Sequence, residues 1–283
     1  MTVLAPREYE LDLESFRTIA ELAYQESGLT LVREKSSMIC SRLRHRLRAL
    51  GLADFGAYIR LLQSEAGLTE RTHLISALTT NVSHFFRESH HFDLLAEMFR
   101  ERLPTLRQGE EMRLWSAGCS NGQEALSAAI TLLESARDAD TLDLRILATD
   151  IDQEVVAFAR AGVYPARLVN GIPAPMLSTY FTETPTAGGE PHYTIRHNLR
   201  SMVRFNQLNL LKPWPMRRRF DAVFCRNVVI YFDLDTQRRL WPKFREVLAP
   251  GGLLFLGHSE RIADPEAFGF ECVGPTTYRP IIP

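Results

Sequence analysis

The chain has 283 residues, 45% of them apolar and 24% charged, with a net charge of −1. That length admits two domains; no charged tail speaks for a nucleic-acid partner, and no apolar run approaches the roughly 20 residues of a membrane span. The opening MTVLAPREYELDLE lacks a signal-peptide pattern, and Cys40, Cys119, Cys225 and Cys272 show no C-x-x-C spacing, so the expectation is a reduced, cytoplasmic protein with neither disulfides nor a metal.

Residues 11 to about 80 read as helices only. Phe16, Ile19, Ala20 and Ala23 fall at i, i+3, i+4 and i+7. Phe55, Tyr58, Ile59 and Leu62 repeat that spacing, with Asp54 placed to cap. Between them, KSSMICSRLRHRLRAL puts Ile39, Leu43, Leu47 and Leu50 on one stripe and stops at Gly51. Lys35, Arg42 and Arg46 line one flank of the stripe, and Arg33, Arg44 and Arg48 the other, with Glu34 the one opposing acid on the helix. Such arginines normally lay their stems along the apolar surface and keep their charge in water. A basic face for an acidic partner is the other reading.

A further amphipathic helix starts at His91 and runs through Phe92, Leu95, Ala96, Phe99 and Leu103, with Pro104 and Gly109 as its stop. Strands are then predicted at 113–117, 144–150, 221–227 and 252–258, with helices at 123–135, 153–161 and 234–248. The strands are apolar on both faces, as parallel strands covered by helices are. This is an α/β domain with a mostly parallel sheet. From Ile172 to Phe205 the alternation breaks: TPTAGGEP stands between HYTIRHNL, MVRFNQL and a PAP turn. A small inserted antiparallel element is expected there. The predicted organisation is a helical domain and linker over 1–90 and a ligand-binding domain over 91–283, with the insertion at about 172–205.

The stretch LWSAGCSNGQEALSAAI is a strand, a glycine turn and a helix, the arrangement by which α/β sheets hold nucleotide-like ligands. It is neither the dinucleotide G-x-G-x-x-G nor a P-loop, which needs Lys and Ser or Thr where Gln123 and Glu124 stand. Glu124 in the first helical turn suits a ligand cation rather than a pyrophosphate, so S-adenosylmethionine, with its ammonium and sulfonium, fits Gly118–Gly122. Glu124 also reads as an ordinary first-turn carboxylate favoured by the helix dipole. Asp150 ends the strand LRILATD, where a carboxylate can accept both ribose hydroxyls. Its other reading is a helix cap, a job that Asp152 fits better. Arg226, Asn227 and Tyr231 follow the third strand and face the same crevice. Cys119 reads as a packing residue of the turn.

In order along nearly the whole chain, SRLRHRLRALGLADFGAYI (41–59), TTNVSHFFRESHHF (79–92), WSAGCSNGQE (115–124), ATDID (148–152), FDAVFCRNVVIYFD (220–233) and GGLLFLGHSE (251–260) resemble the chemotaxis receptor glutamate O-methyltransferases, the CheR family. The resemblance implies a Rossmann-like S-adenosylmethionine-dependent methyltransferase fold with an N-terminal all-helical domain and a small antiparallel β-subdomain. It implies methyl transfer to receptor glutamates in adaptation, with S-adenosylhomocysteine as product and no metal. Asn81, Ser83 and Arg87 match the cofactor-contacting TNxTxFFR segment, with Ser83 in place of the usual Thr. Glu124 matches the carboxylate for the methionine ammonium and Asp150 the ribose ligand. Asn209 and Leu210 match the pair near the adenine, and Arg226 and Asn227 a further cofactor-lining pair. Arg87 and Tyr231 match residues near the transferred methyl. Arg42, Arg46 and Arg48, with Lys35 beside them, match a basic face that docks acidic receptor helices. The expected partner is therefore the cytoplasmic helices of methyl-accepting receptors, met by a monomer that neither enters the membrane nor binds nucleic acid.

Two departures stand out. GQEALS replaces the family's frequent GEEPYS, and the TPTAGGEP loop lacks a clear counterpart of the Gly-rich hairpin that grips a receptor tail in some members. Two other functions are weighed. A nucleic-acid methyltransferase would carry Asn/Asp-Pro-Pro-aromatic after the fourth strand, and CRNVVIYF has no proline. A non-enzymatic cofactor-binding sensor or adaptor would tolerate eroded positions, whereas each position here carries a competent side chain. His90, His91 and His258 read as structural.

Overall fold

The computed structural model describes residues 9–186 and 189–282. The chain divides into two units: residues up to Thr80 together with Tyr231–Asp233, and Asn81–Ile230 together with Leu234 onward. The segment 81–90 thus groups with the second unit, so the division falls at Thr80/Asn81 rather than at 90/91. Among the contacts that hold that segment there, Asn81 Nδ2 donates to Asp152 (2.7 Å), Phe86 N donates to Ser127 Oγ (2.9 Å), and the Phe85 ring packs edge-on against Tyr164 and Phe181.

The first unit holds α1 (Leu13–Ser27), α2 (Ser36–Ala49), α3 (Phe55–Gln63) and α4 (Leu68–Leu78). Asp12 and Asp54 cap α1 and α3 by accepting the amides of Ser15 and Ala57 (2.7 Å each). Each cap satisfies one of the donors that a helix start leaves open. Ile39, Leu43 and Leu47 are buried as the stripe requires, but Leu50 is 38% exposed. Helix α2 ends at Ala49 and the chain turns left-handed at Gly51 (φ 65°), which carries Leu50 off the stripe.

The basic flanks of α2 differ from the wheel reading. Arg46 forms a fork with Glu70 of α4 (2.9 and 2.6 Å), and Tyr58 Oη donates to the same buried carboxylate (2.9 Å). Arg42 donates to the carbonyls of Leu78 (2.9 Å) and Thr79 (3.0 Å), which the end of α4 leaves unpaired, and to Thr80 Oγ1 (2.9 Å). Arg44 donates to Tyr9 O (3.1 Å). The acid that answers Arg46 is on another helix, so counting charges along α2 alone misses it. Arg33, Lys35 and Arg48 are exposed.

The second unit starts with α5 (His90–Leu106). Pro104 sits in its last turn, and the helix ends two residues later at Leu106. Then follow β1 (Met112–Ala117), α6 (Gln123–Ser135), β2 (Leu144–Asp150) and α7 (Gln153–Ala161). After these come β3 (Val163–Pro165), α8 (Ala166–Val169), α9 (Ala174–Tyr180), β4 (Phe181–Thr186), β5 (Gly189–Ile195), α10 (His197–Met202), β6 (Val203–Gln207) and β7 (Phe220–Cys225). The chain closes with α11 (Leu234–Val247), β8 (Leu248–Leu256), β9 (Phe270–Gly274) and β10 (Thr277–Pro280).

The main sheet runs β6-β2-β1-β7-β8-β10-β9. The first five strands are parallel; β10 lies antiparallel to β8 and to β9. The chain works outward from β1 through β2 to β6, then starts again on the other side with β7. The strand order therefore reverses between β1 and β7, where open α/β sheets bind ligands. Buried side chains on both faces of β1 and β7 give the near-continuous apolar runs seen in the sequence.

The predicted insertion at 172–205 needs correcting at both ends. The small sheet is β3-β5-β4, all antiparallel, and spans 163–195. MVRFNQL lies outside it: β6 pairs parallel with β2, Ala148 opposite Phe205. An edge strand is half exposed, so Val203–Gln207 alternates in burial just as an antiparallel strand would. The β9–β10 hairpin was not foreseen. Among the described residues, no helix is long and apolar enough to cross a membrane.

Replacing Arg46 by Glu sets a second carboxylate against buried Glu70. Breaking such a pair costs about 3 kcal/mol, whereas Arg48→Glu on the exposed face stays within about 0.5 kcal/mol. Urea unfolding of the full chain measures both. Equal midpoints for the two variants would show that the Arg46–Glu70 fork contributes nothing.

Candidate functional site

The site is built at the carboxyl ends of β1, β2 and β7, all within the second unit. After β1 the chain turns through Gly118 (φ 101°), Ser120 (φ 48°) and Gly122 (φ 86°). A side chain at Gly118 would collide with Val228 Cγ2, and one at Gly122 would come within 2.9 Å of Ala159 Cβ. These glycines admit neighbouring loops and α7, as well as supplying the left-handed turn. Of the five non-glycine residues with positive φ among the described residues, four belong to segments that meet here: Phe86 (54°), Glu88 (56°), Ser120 and Asn227 (60°). That conformation costs an ordinary residue about 1–3 kcal/mol and clusters at functional sites.

Asp150 ends β2. Its Oδ2 accepts Ser120 N (2.8 Å) from the glycine turn, and its Oδ1 accepts Asp152 N (3.0 Å). Asp152 does the capping, accepting Glu154 N (2.9 Å). Burial raises the Asp150 carboxyl above its usual range, and the amides of Asp152 and Ser120 only partly offset this. Ser120 Oγ is buried beside it with no hydrogen-bond partner in the protein. Further hydrogen bonds would lower the cost of ionising Asp150, and Ser120 Oγ has a bond to give or take. Ribose hydroxyls supply both.

Across the switch point lies a buried charge cluster. Glu124 Oε1 accepts the hydroxyl of Ser116 (2.6 Å), and its Oε2 pairs with Arg226 Nη1 (3.3 Å). Arg226 has a side chain only 2% exposed. Its Nε and Nη2 go to Glu88 Oε2 (3.3 and 3.2 Å), Nη2 also donates to the carbonyl of Arg87, and the guanidinium stands over the Phe92 ring. Glu88 Oε1 in turn accepts His258 N (3.1 Å) and faces His258 Nδ1 (3.0 Å) at the end of β8. Burial works against ionising Glu88, but Arg226 and His258 outweigh it and hold its carboxyl below the usual range. For Glu124 burial wins: its carboxyl lies above the usual range despite Arg226 and Ser116. A ligand ammonium would relieve that cost. With the orphaned Ser120 hydroxyl, these residues fit an adenosine-bearing ligand that has a cationic amino-acid end, as S-adenosylmethionine does.

The site residues predicted from the sequence lie as follows. Gly118, Glu124, Asp150, Arg226 and Asn227 gather at the strand ends just described. Asn81 reaches the same region through Asp152. Arg87 joins through its carbonyl on Arg226, while its side chain is partly exposed and reaches Val82 O (3.4 Å). Ser83 is half-buried in the segment between them. Asn209 and Leu210 follow β6: Asn209 Oδ1 accepts Leu211 N (2.9 Å), and Leu210 is buried. Tyr231 groups with the first unit, where its carbonyl accepts Thr30 N (2.9 Å) and its hydroxyl lies 3.5 Å from Thr80 O. Burial pushes the Cys119 thiol well up, as suits a packing residue. His91 is fully buried, and burial with Arg226 lowers it to about 4, so it stays neutral.

Two carboxylates were missed. Glu260 is buried; its oxygens accept the amides of Asn227 (2.7 Å), Gly257 (2.6 Å) and Ile230 (3.2 Å), which pins the loop after β7 to the end of β8. Glu88 holds Arg226. Both stand in motifs of the family resemblance, but only their distant partners distinguish them from surface acids.

Comparison with known proteins places this geometry. Residues 14–79 match the family model for the CheR methyltransferase all-alpha domain, and residues 81–278 that for the CheR methyltransferase SAM binding domain. A chemotaxis protein methyltransferase of Escherichia coli is 42% identical over 272 residues, covering 93% of this chain and 89% of the relative. Chemotaxis protein methyltransferase 2 of Pseudomonas aeruginosa is 40% identical, covering 98% and 97%. A probable chemotaxis protein methyltransferase of Rhizobium etli is 40% identical, covering 91% and 96%. The all-helical first unit, the S-adenosylmethionine-type sheet and the family matches along both agree, and the chain belongs to the CheR methyltransferase family.

Proposed function

We propose that this protein transfers the methyl group of S-adenosylmethionine to glutamate side chains of chemotaxis receptors, giving methyl esters. The observation that carries the cofactor half is the pairing, at one strand-order reversal, of buried Glu124 with an acidic strand end at Asp150. S-adenosylmethionine supplies an electrophilic methyl on sulfonium. Asp150 holds the ribose, Glu124 the ammonium, Asn209 and Leu210 the adenine side, and Asn81, Ser83, Arg226 and Asn227 the remaining wall. The substrate half rests on the chemotaxis relatives and on chemistry. A receptor glutamate with a pKa of about 4.3 is already ionised at neutral pH and needs no general base. What remains is to position it and exclude water. Arg87 and Tyr231 are the residues proposed to orient that carboxylate. Lys35, just before α2, and Arg48 on α2, both exposed, are proposed to meet the acidic receptor helix in the cytoplasm. Arg42 and Arg46 support that surface by fixing α2 to α4.

The direct test is transfer of labelled methyl to a purified receptor cytoplasmic fragment, with release of the label as methanol by mild base. Base-stable label, or label on nucleic acid instead, would reject the ester assignment. Asp150→Ala is expected to weaken binding of S-adenosylhomocysteine about 10- to 150-fold by calorimetry. Wild-type affinity in that variant would leave Asp150 as a brace of the glycine turn only. Tyr231→Phe is expected to lower kcat for receptor methylation while leaving the cofactor Kd in place.

The raised Glu124 carboxyl gives a pH dependence. In the ligand-free protein, ionising Glu124 costs stability as pH rises through its raised pKa, because the folded state then prefers the protonated form. A bound ammonium favours the ionised form, so binding releases a proton. Affinity should therefore fall as pH is lowered from about 8 towards the usual carboxylate range, and Glu124→Gln should flatten that limb. A wild-type Kd that does not vary with pH would remove Glu124 from the ammonium site.

A further inference from the structure

Two forks on buried or nearly buried carboxylates can be compared in this protein. Arg46 gives Glu70 both edges of a guanidinium, at 2.9 and 2.6 Å. Arg226 gives Glu124 a single nitrogen at 3.3 Å, because its Nε–Nη2 edge is taken by Glu88. Glu88 is itself fixed, since both the amide and the ring of His258 face its other oxygen. Against Glu88 also stand His91 (3.7 Å), which is held neutral, and the Arg87 guanidinium, 3.9 Å from the oxygen that faces His258. The two carboxylates thus share the Arg226 guanidinium; Glu88 has Arg87 as a second, more distant cation, whereas Glu124 pairs with the single Arg226 nitrogen.

We propose that Glu88 is a positioning residue: by holding Arg226 it keeps Glu124 from being neutralised inside the protein, so that Glu124 selects a ligand with a cationic amino-acid end. This rests on the S-adenosylmethionine reading above. Without the Glu88 charge, Arg226 and Glu124 form a closed pair. A ligand ammonium would then have to compete with a guanidinium already in place, and a buried pair gives up its partner at high cost. With Glu88, the guanidinium is shared and the ammonium completes the set. Selectivity then comes from the cation that the protein withholds from Glu124 as well as from the contacts it offers.

The experiment measures calorimetric Kd values for S-adenosylhomocysteine, which has the amino-acid end, and methylthioadenosine, which lacks it. Glu88→Gln keeps the size and removes the charge. It is expected to raise the Kd for S-adenosylhomocysteine about tenfold or more and to leave that for methylthioadenosine within about twofold. Equal weakening of both ligands, or of neither, would overturn the proposal and make Glu88 a brace of the fold. Should Glu88→Gln not fold, Glu88→Asp keeps the charge but shortens its reach to Arg226. It is expected to raise the Kd for S-adenosylhomocysteine more than that for methylthioadenosine, and equal weakening of both would overturn the positioning role. Glu124→Gln, run alongside, separates the two levels. If it loses no selectivity, the cofactor reading of Glu124 fails; if it does while Glu88→Gln does not, only the role of Glu88 fails.

Discussion

The candidate site depends on one guanidinium. Arg226 is withdrawn from water between Glu124 on α6 and Glu88 in the segment before α5, and it caps the carbonyl of Arg87 besides. A buried arginine cannot shed its proton, so the protein must bring carboxylates to it. Doing so ties the end of β7 to the helix after the glycine turn and to the 81–90 segment. Through His258 it reaches the end of β8 as well. The loops that surround the strand-order reversal are therefore placed by charge pairing as well as by apolar packing such as that of Phe85. Glu260 does the same on a smaller scale with backbone amides alone.

Strain accompanies this arrangement. Phe86, Glu88, Ser120 and Asn227 all take left-handed backbone conformations, and each is held by a hydrogen bond within the network: Phe86 N to Ser127, Glu88 through Arg226, Ser120 N to Asp150 and Asn227 N to Glu260. Asp150 braces the glycine turn with the same carboxylate proposed to hold the ribose. One side chain with several acceptor sites can do both. The turn is then already shaped before a ligand arrives, which lowers the ordering cost of binding.

In the helical unit the arginines of α2 divide by job. Arg42 covers the carbonyls at the end of α4, Arg46 neutralises Glu70, and Arg44 holds Tyr9. Arg33, Lys35 and Arg48 stay exposed. A basic stripe on a wheel therefore overstates the charge offered to a partner, because neighbouring helices draw on it first. The remaining exposed cations are fewer and better separated from the fold's own needs.

Periodicity and local chemistry determined much of this protein from sequence alone. Helices 123–135 and 153–161 and the strand 144–150 fall where their apolar spacing puts them. The caps at Asp54 and Asp152, the left-handed Gly51 and the glycine turn before Glu124 were legible because each depends on a few adjacent residues. The family was legible too, since its motifs recur in order. Only the tertiary structure decided the rest. Whether Val203–Gln207 pairs with β2 or within the insertion depends on a partner strand, because half-exposed strands of either kind alternate alike. Glu88 and Arg226 are 138 residues apart, and Glu88 and His258 170. A hydrogen bond between such residues leaves no period in the chain. The Glu88–Arg226 contact exists only once folding has brought both groups out of the water that would otherwise satisfy them.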